Sequence, residues 1–580
     1  MNIKENEKLN IINHSCAHLL AHAVKHLYKD AKFWVGPVIE DGFYYDIDLG
    51  ETKISEEELL KIEKEMKKIS KDNKLIKRLE LTKQEALDMF SGDEYKIDLI
   101  SRMDEKDTVI SAYQQEDFID LCRGPHVEST KLLKHFKLLK VSGAYWKGDA
   151  NNKMLQRIYG ICFETEEDLQ KYLEFLEEAK KRDHKKLGKE LGLFMMSEYG
   201  PGFPFFLNKG MILRNELESF WYSEHTKEGY EFIKTPIMLN KDLWELSGHW
   251  FNYRENMYTS EIDEKVFAIK PMNCPGGMLV YKNGLHSYKD LPLRIGELGQ
   301  VHRHEASGAL NGLFRVRTFT QDDAHIFMRE DQIESEVVRL INFIDRMYSI
   351  FGLTYNIELS TRPEEKYIGD IEIWNKSEEA LEKACHAAGH ECKINPGDGA
   401  FYGPKLDFHI KDSLGRVWQC GTIQLDMNLP ERFDLTYVDS DGQKKRPVML
   451  HRVIYGSIER FIGILIEHYA GAFPLWLAPI QVNIIPVNNE YHLEYANVIK
   501  EKLLEHNIRV ELDDRDEKLS YKMRESQTKK IPHTLIIGDK EKEENSISYR
   551  TFGSKETINL TLEKYITNII EKIENKQNEY

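Results

Sequence analysis

The largest concentration of side chains that could do chemistry lies in residues 301–327, V-H-R-H-E-A-S-G-A-L-N-G-L-F-R-V-R-T-F-T-Q-D-D-A-H-I-F, where polar and aromatic residues recur at every second position. Alternate residues of an extended strand share one face of a sheet. An outward-facing polar strand is the commoner origin of alternation, but it usually carries Lys, Glu and Thr. We interpret the mixture as a binding floor for phosphate, a base and a small polar substrate. The predicted face carries Arg315, Arg317, Phe319, Gln321, Asp323 and His325.

A second strand is expected immediately before this face. Arg303 and Glu305 have the same parity, and a loop with Gly308 and Gly312 would join the two strands as a hairpin. The segment R303-H-E305 before such a loop resembles motif 2 of the class II aminoacyl-tRNA synthetases. The wider sequence, from about residue 10 to the C-terminus, is similar to the threonyl-tRNA synthetases.

Two further segments resemble motifs of this family. Residues 229–236, G-Y-E-F-I-K-T-P, resemble motif 1, whose closing proline, here Pro236, lies at the dimer interface in relatives; a plain strand and turn fits these residues equally well. Residues 456–471 resemble motif 3, and their apolar residues fall at helical spacing. Arg460 should project away from the buried face of that helix, toward ATP. The resemblance thus implies a homodimer and an ATP site.

The resemblance also implies roles for individual residues. Phe319 would stack on adenine, and Arg303 would bridge the threonine carboxylate and the α-phosphate of ATP, with Mg²⁺ assisting. The implied catalytic residues are Arg303, Glu305 and Arg460. The implied ATP-binding residues are Arg303, Glu305, Arg315, Phe319, Lys405, Gln419, Thr422 and Arg460. The implied threonine-binding residues are Gln321, Asp323 and Tyr402.

A metal site depends more on resemblance than on spacing. Cys274, His325 and His451 lie far apart in the sequence, and a buried cysteine with two structural histidines is the default interpretation. Each matches a zinc ligand of the threonyl-tRNA synthetases, and three protein ligands leave zinc an open position. The amino group and hydroxyl of threonine could both bind there, whereas valine lacks the hydroxyl. A site that requires a hydroxyl discriminates against an analogue without one by a factor of about 10⁴ to 10⁵.

Serine passes that filter, because one missing methyl group is worth only about 1 to 3 kcal/mol. A second, hydrolytic site is therefore expected, and the N-terminal region offers one. His14 and His18 share a helix face at i and i+4, and Cys122-Arg-Gly-Pro-His126 adds a thiol and a third imidazole. Residue types alone fit zinc binding and water positioning equally well. The editing residues implied by the resemblance are His14, His18, Lys96, Asp120, Cys122 and His126.

Composition sets limits on compartment and partners. The chain has 580 residues, seven cysteines, a polar start and no long apolar run, which favours a reducing cytoplasm and excludes a membrane anchor. A net charge of −17 opposes nucleic-acid binding over the whole surface, although residues 180–189 carry six basic residues against one acid. That run is typical of a solvated helix face as well as of a local tRNA contact. The resemblance implies tRNA(Thr), ATP and L-threonine as partners.

Breaks in pattern predict an α+β multidomain protein. Together with these breaks, the resemblance implies an α+β editing domain in 1–162, a linker helix in 163–189, a class II catalytic domain with a central antiparallel sheet flanked by helices in 190–472, and an α/β anticodon-binding domain in 473–580. Residues 55–72 and 164–187 should be amphipathic helices.

Some features depart from the family. Glu541 and Arg550 match anticodon-reading positions, whereas Asp516 and Lys530 stand where relatives often have Asn and Arg. About a dozen residues precede His14, where relatives usually carry a ubiquitin-like domain; we expect the activity to survive without it. A freestanding deacylase would need only residues 1–160, and a non-catalytic regulator would be expected to lack Arg303, Glu305 or Arg460. A synthetase for another amino acid is the nearest rival.

Overall fold

The computed structural model describes residues 2–103, 109–149 and 151–580. Contacts divide the chain into two units, residues 1–178 and 179–580. The boundary falls inside one amphipathic helix, which is where the sequence predicts a linker.

The first unit combines a helical hairpin with two sheets. Its helices are α1 (Glu7–Leu27), α2 (Glu56–Lys71), α3 (Lys83–Met89), α4 (Glu94–Ser101) and α5 (Glu166–Arg182). Its strands are β1 (Lys32–Phe33), β2 (Val38–Ile39), β3 (Gly42–Asp48), β4 (Ile76–Leu81), β5 (Ile110–Gln115), β6 (Phe118–Leu121), β7 (His135–Tyr145) and β8 (Met154–Phe163).

The helix α1 forms the centre of this unit. Asn6 caps its first turn by accepting a hydrogen bond from the Leu9 backbone, and one face buries Cys16, Leu20 and Val24. These side chains pack against the antiparallel sheet β1-β3-β8-β7 and against α2. A second antiparallel sheet, β4-β5-β6, carries the segment that leads to Cys122. The α+β prediction for this region is confirmed.

The second unit begins with the rest of the predicted linker. Instead of one helix through 164–187, α5 ends at Arg182 and α6 (His184–Glu190) begins after Asp183. Asp183 breaks the helix because its carboxylate caps the new one, accepting from the backbone N–H groups of Lys185 and Lys186. The His184 ring is buried, 2.7 Å from a carboxylate oxygen of Glu467.

The central region of the chain, which follows α6, is built on one large sheet. Its helices are α7 (Asn208–Lys227), α8 (Lys241–Leu246), α9 (His249–Asn252), α10 (Cys274–Lys282), α11 (Ile333–Ser349), α12 (Ile371–Ala387), α13 (Leu429–Arg432) and α14 (Ile458–His468). Its strands are β9 (Phe194–Ser197), β10 (Gly200–Phe206), β11 (Glu231–Phe232), β12 (Met238–Asn240), β13 (Thr259–Ile262), β14 (Lys265–Ile269), β15 (Leu293–His302), β16 (Thr318–Met328), β17 (Thr354–Ser360), β18 (Cys392–Asn395), β19 (Lys405–Lys411), β20 (Val417–Asp426), β21 (Tyr437–Val438), β22 (Lys444–Lys445) and β23 (Val448–Val453).

The order of the large sheet is β11-β15-β16-β23-β20-β19-β17-β18. Only the edge pairs β11-β15 and β17-β18 are parallel among the described pairs of this sheet. The buried helices α7, α11 and α14 contribute to the main hydrophobic core with one face of the sheet, which leaves the other face for polar side chains. The predicted antiparallel centre flanked by helices is confirmed.

The C-terminal region is a small α/β domain. It contains β24 (Val482–Pro486), α15 (Asn489–Glu505), β25 (Val510–Leu512), α16 (Leu519–Thr528), β26 (His533–Ile537), α17 (Asp539–Glu544), β27 (Ser546–Thr551), β28 (Ile558–Thr561) and α18 (Leu562–Glu574). The sheet order β25-β24-β26-β27-β28 is parallel in its first half and antiparallel in its second. The predicted α/β domain is confirmed, and β27 and β28 are strands that the sequence analysis did not identify.

Candidate functional site

Two adjoining cavities lie on the polar face of the large sheet. One of about 250 Å³ is lined by Cys274, Asp323, Tyr402, Lys405 and His451, among others. The other, of about 390 Å³, contains the following predicted residues: Glu305, Arg315, Phe319, Gln419 and Arg460. Arg303, Gln321 and Thr422 line both cavities. The predicted substrate, nucleotide and metal residues of the central region are therefore brought together by the fold.

The predicted metal ligands converge because of strand register. His325 and His451 are directly paired on the neighbouring strands β16 and β23, with ring centroids 5.1 Å apart. Cys274 begins α10, and the donor atoms of all three residues lie within 4.8 Å of one another. Gly277 allows α10 to approach, since a Cβ there would meet His325 Nδ1 at 3.1 Å. Three residues that are distant in sequence thus form one cluster.

The chemistry of this cluster fits a metal ion. Burial holds the pKa of His325 at about 4, so its imidazole is neutral, and its Nε2 is buried with no hydrogen-bond partner among the described residues. His451 Nε2 lies 2.9 Å from the buried Asp426 carboxylate, so it can donate there and leave Nδ1 free as a ligand. Burial raises the pKa of Cys274 well above its usual range, so a thiolate here needs a nearby positive charge. The site offers three protein ligands of the kinds that zinc prefers.

The residues predicted to bind threonine lie beside this cluster of potential metal ligands. Asp323 is buried, and its Oδ2 accepts a hydrogen bond from the Asn273 amide at 3.1 Å. Tyr402 is buried against His451, with ring centroids 4.9 Å apart. Asn273 is a residue that sequence reasoning missed, and its place immediately before Cys274 was the available signal. Gly299 faces it on β15, where a Cβ would lie 2.3 Å from the Asn273 carboxamide oxygen.

The residues predicted to bind the base and phosphates of ATP line the second cavity. The Arg303 guanidinium lies 5.0 Å from the centre of the Phe319 ring, which orients both side chains. Glu305 and Arg315 form an ion pair at 3.0 Å. Arg460 Nε donates to the carbonyl of Phe314 at 3.0 Å, and Ser457 caps the start of α14 by accepting from the Arg460 backbone. The side chain of Arg460 therefore points from the helix into the cavity, as the sequence predicted.

Lys405, Gln419 and Thr422 converge on a carboxylate that the sequence analysis missed. Asp407 is buried, and its Oδ1 accepts from Gln419 Nε2 at 2.7 Å and from Thr422 Oγ1 at 3.0 Å. Its Oδ2 lies 2.6 Å from Lys405 Nζ. Lys405 and Asp407 share one face of β19 at a spacing of two, which was the signal for this cluster. Asp407 fixes the orientation of these three side chains.

One member of the predicted face does not belong to the site. The prediction that Arg315 and Arg317 continue the strand is wrong, because β16 begins at Thr318 and both arginines lie in the preceding loop. Arg317 donates to the backbone carbonyls of Glu305 and Pro201 at 2.7 to 3.1 Å and does not line either cavity. Its role in the structure is to hold the loop. Arg315 reaches the cavity from that loop.

In the first unit, the predicted editing residues also form one cluster. Cys122 Sγ lies 3.2 Å from both His14 Nε2 and His126 Nε2. Asp120 is buried between Lys96, whose Nζ is 2.6 Å from Oδ1, and His18, whose Nδ1 is 2.8 Å from Oδ2. Tyr45, which sequence reasoning missed, donates its hydroxyl to the same carboxylate. All six predicted residues are thus brought together.

The electrostatics of this cluster favour charged forms despite burial. Burial opposes the thiolate, but hydrogen bonds from His126, His14 and His18 lower the pKa of Cys122 to about 3. Burial also opposes the imidazolium of His18, but Asp120 raises its pKa to about 9. Burial lowers the pKa of His126 to about 4, which leaves that ring neutral. The donor atoms of His14, His18, Cys122 and His126 lie within 4.8 Å of one another, so the geometry suits a bound water or a metal ion.

Of the predicted anticodon residues, Glu541 lies in α17 and Arg550 on β27, and both are already hydrogen-bonded. Glu541 accepts from Ser548 Oγ at 2.6 Å and from the Gly538 backbone at 3.0 Å. Arg550 Nε donates to Thr557 Oγ1 at 2.8 Å. Lys530, one of the departures from the family, donates to the Ala470 carbonyl at 2.6 Å. The Lys530 amine is therefore used within the chain.

The motif 1 segment forms a short edge. Glu231–Phe232 pairs in parallel with β15, and Pro236 is exposed just after it. Phe232, Ile237 and Met238 are also exposed there, which is an unusual group of apolar side chains for a surface.

Among the described residues, no helix is both long and apolar enough to cross a membrane.

Comparisons with known proteins agree with this architecture. A tRNA synthetase class II core domain (G, H, P, S and T) matches residues 258–469, an anticodon binding domain matches residues 481–572, and a threonyl and alanyl tRNA synthetase second additional domain matches residues 110–159. The last of these matches covers Asp120, Cys122 and His126 of the first unit.

Full-length relatives give the same result. The threonine–tRNA ligase of Fusobacterium nucleatum is 59% identical over 577 residues, covering 99% of this chain and 92% of that protein. The threonine–tRNA ligase of Clostridioides difficile is 56% identical over 576 residues, covering 99% and 90%. A crystal structure described as the RNA binding domain of threonyl-tRNA synthetase from Cryptosporidium parvum is 39% identical with a TM-score of 0.66, covering 69% of this chain and 99% of that one. The chain therefore belongs to the threonine–tRNA ligases, a family of class II aminoacyl-tRNA synthetases.

Proposed function

We propose that this protein activates L-threonine with ATP, transfers it to tRNA(Thr), and hydrolyses seryl-tRNA(Thr) at a separate site. The proposal rests mainly on the position of Arg303. This side chain lines both the cavity that holds the potential metal ligands and the cavity that holds the residues predicted to bind ATP. A side chain at that junction can contact the amino acid and the nucleotide together. Family membership supports the same reaction.

The nucleotide would lie in the larger cavity. Phe319 offers a ring face for adenine, and the Glu305 carboxylate would accept from the adenine amino group. Arg315 and Arg460 would hold the γ-phosphate, together with Mg²⁺. Glu305 and Arg315 are paired to each other without the nucleotide, so ATP binding would replace one ion pair by two contacts to ligand.

The transfer step depends on charge held in place. As the threonine carboxylate attacks the α-phosphate, negative charge grows on the phosphate oxygens, and Arg303 would neutralise it. Lys405, Gln419 and Thr422 would line the substrate side, held in orientation by Asp407. Preorganised groups cost no reorganisation at the moment of reaction, which is why a buried carboxylate behind them matters.

Selection of threonine would begin at the first cavity. Cys274, His325 and His451 would hold one zinc ion, which would supply an open coordination position able to distinguish a hydroxyl from a methyl group. Asp323 would accept a hydrogen bond from the hydroxyl group of threonine, while Gln321 and Tyr402 would face the amino group of the same substrate. Valine offers no hydrogen for Asp323, so its binding would leave a buried carboxylate without that partner.

Editing would take place in the first unit. The neutral His126 and the thiolate of Cys122 would accept hydrogen bonds from a water or from the tRNA terminus, while His14 and the charged His18 would orient them. Asp120 would hold His18 in its protonated form, and Lys96 would keep the Asp120 carboxyl ionised by lowering its pKa. We propose that this quartet positions water; deacylation that survives chelation would support water positioning, and a bound zinc equivalent that is lost in Cys122→Ser would overturn it.

The remaining assignments follow the same division of labour. We propose an editing domain in 1–162, a linker in 163–189, a catalytic domain in 190–472 and an anticodon-binding domain in 473–580, with Glu541 and Arg550 near the anticodon. The exposed apolar residues around Pro236 support a homodimer interface. The reaction and partners suit a cytoplasmic location.

The direct test is charging of purified tRNA(Thr) with labelled threonine. We expect threonyl-tRNA to accumulate and seryl-tRNA not to accumulate, and a tRNA with another anticodon serves as the control. Charging of a different tRNA with a different amino acid would overturn the proposal.

A further inference from the structure

A third group of potential metal ligands lies in the first unit, outside the editing quartet. His22 and His26 follow His14 and His18 along one face of α1, at successive spacings of four. Asp117 lies in the turn between β5 and β6 and reaches the same point on that face. No step of the proposed function uses these side chains.

The three donor atoms form a nearly equilateral triangle. His22 Nε2 lies 3.1 Å from His26 Nε2 and 3.0 Å from Asp117 Oδ1, and His26 Nε2 lies 3.3 Å from the same oxygen. Donors about 2.0 to 2.2 Å from a tetrahedral zinc ion lie about 3.3 to 3.6 Å from one another. A small expansion is therefore all that separates the triangle from the spacing of a coordinated ion.

Hydrogen bonds between two neutral imidazoles and one carboxylate account poorly for this arrangement; the other way to satisfy it is a proton on His26, between Glu65 and Asp117, which a bound metal ion would replace. A neutral imidazole carries one ring proton, on either of its two nitrogens. If both Nε2 atoms donate to Asp117, two N–H groups face each other across the contact between His22 and His26. If one donates to the other, its proton has two acceptors at close distance. A cation between the three atoms would satisfy all of them at once.

The surroundings orient the ligands as metal sites require. His26 Nδ1 lies 3.2 Å from Glu65 Oε1, so an Nδ1–H bond to that carboxylate would leave the Nε2 lone pair facing the triangle. The His22 side chain is fully buried, whereas His26 is 31% exposed and Asp117 is 68% exposed. The cluster is thus anchored on the inside and open to solvent on one side, which leaves an entry path and a free coordination position.

We propose that His22, His26 and Asp117 bind a divalent transition-metal ion of the zinc type, with Glu65 as the positioning residue for His26. Two imidazoles and one carboxylate are ligands suited to zinc, and no thiolate takes part. Bound metal fixes the β5–β6 turn to α1. Because β6 carries Asp120 and leads directly to Cys122, the ion also stiffens the strand that holds the editing residues.

The test is a count of bound metal in the full chain. Protein stripped with a chelator is dialysed against zinc, and bound equivalents are compared for the parent, His26→Gln, Asp117→Asn and His135→Gln. His135 is a matched control, because it is 28% exposed in the same unit and pairs with one carboxylate, Glu166. We expect His26→Gln and Asp117→Asn each to lose one equivalent, or to bind it at least about 10-fold more weakly, while His135→Gln matches the parent.

Cobalt distinguishes this site from the two clusters that contain cysteine. The equivalent lost in His26→Gln should carry visible d–d absorption without a thiolate-to-cobalt charge-transfer band. Glu65→Gln should keep the equivalent but weaken it about 10-fold to 100-fold. Added zinc should also slow hydrogen exchange in residues 115–122 of the parent and not of His26→Gln. Equal metal content and spectra in parent, His26→Gln and Asp117→Asn would overturn the proposal, and the outcome does not depend on ligase activity.

Discussion

Asp407 Oδ2 lies 2.6 Å from Lys405 Nζ, and the other oxygen of the same buried carboxylate holds two more residues of the candidate site. A single group behind the substrate side thus sets the direction of three polar side chains. Its importance follows from burial, since a partner that loses this carboxylate would be left unsatisfied in a cavity wall.

Asp407→Asn should lower the rate of threonine activation by about 10²-fold with little change in fold. Asparagine keeps the shape but removes the negative charge beside Lys405, and it replaces one of the two acceptor oxygens shared by Lys405, Gln419 and Thr422 with an NH2 group that can only donate. The measurement is steady-state kinetics for ATP and threonine. Asp398→Asn is the matched control, because Asp398 lies 3.4 Å from the same Lys405 Nζ but is 59% exposed. Equal losses in the two variants would contradict the role given to Asp407.

Arg303→Ala should reduce activation by about 10² to 10³ or more, since its charge matters most as the α-phosphate becomes crowded. Arg339→Ala is the control variant. Arg339 lies on α11, is exposed to solvent, and forms an ion pair with Glu228. Circular dichroism should show both variants folded. Near-normal activation by Arg303→Ala would remove that residue from the mechanism.

Cys274→Ser should lower the zinc content by one equivalent per chain relative to the parent. Serine removes the thiolate from the cluster with His325 and His451 while preserving its size. Cys385→Ser is the control, because Cys385 is a buried cysteine of α12 that belongs to no potential metal cluster among the described residues. Undiminished zinc in Cys274→Ser would exclude this site.

The double variant His14→Ala and His18→Ala should leave threonine activation intact and abolish clearance of seryl-tRNA. The reason is that the residues proposed for editing lie in the first unit of the chain and those proposed for activation lie in the second. Deacylation of preformed seryl-tRNA(Thr) is the measurement, with His135→Ala as the control in the same unit. Clearance at the parental rate would show that the quartet is structural.

Local pattern was sufficient for much of the site. The alternation of Gln321, Asp323 and His325 along β16 follows from strand geometry, and the helical spacing of motif 3 placed Arg460 on the cavity side of α14. The same alternation failed at Arg315 and Arg317. Gly312 has a positive φ of 50°, and a bridge between Asn311 and Arg315 closes a turn there, so the strand begins only at Thr318.

Other features depend on register between distant strands, which one sequence does not reveal. His325 faces His451, and Asp407 faces Thr422, only because β16, β23, β19 and β20 pair in particular registers. The stripe of histidines along α1 could be seen in the sequence, but the approach of Asp117 from the β5–β6 turn could not. Side chains that act through tertiary contact, such as Asn273 and Tyr45, were missed for the same reason.

The most direct test of the central claim is ATP–pyrophosphate exchange with each amino acid in turn. Rapid exchange with threonine, weaker exchange with serine and none with valine is the predicted pattern, because we propose that Asp323 and the cluster of Cys274, His325 and His451 together select for a hydroxyl. Exchange with valine at a rate comparable to that with threonine, or faster exchange with any other amino acid, would contradict the account.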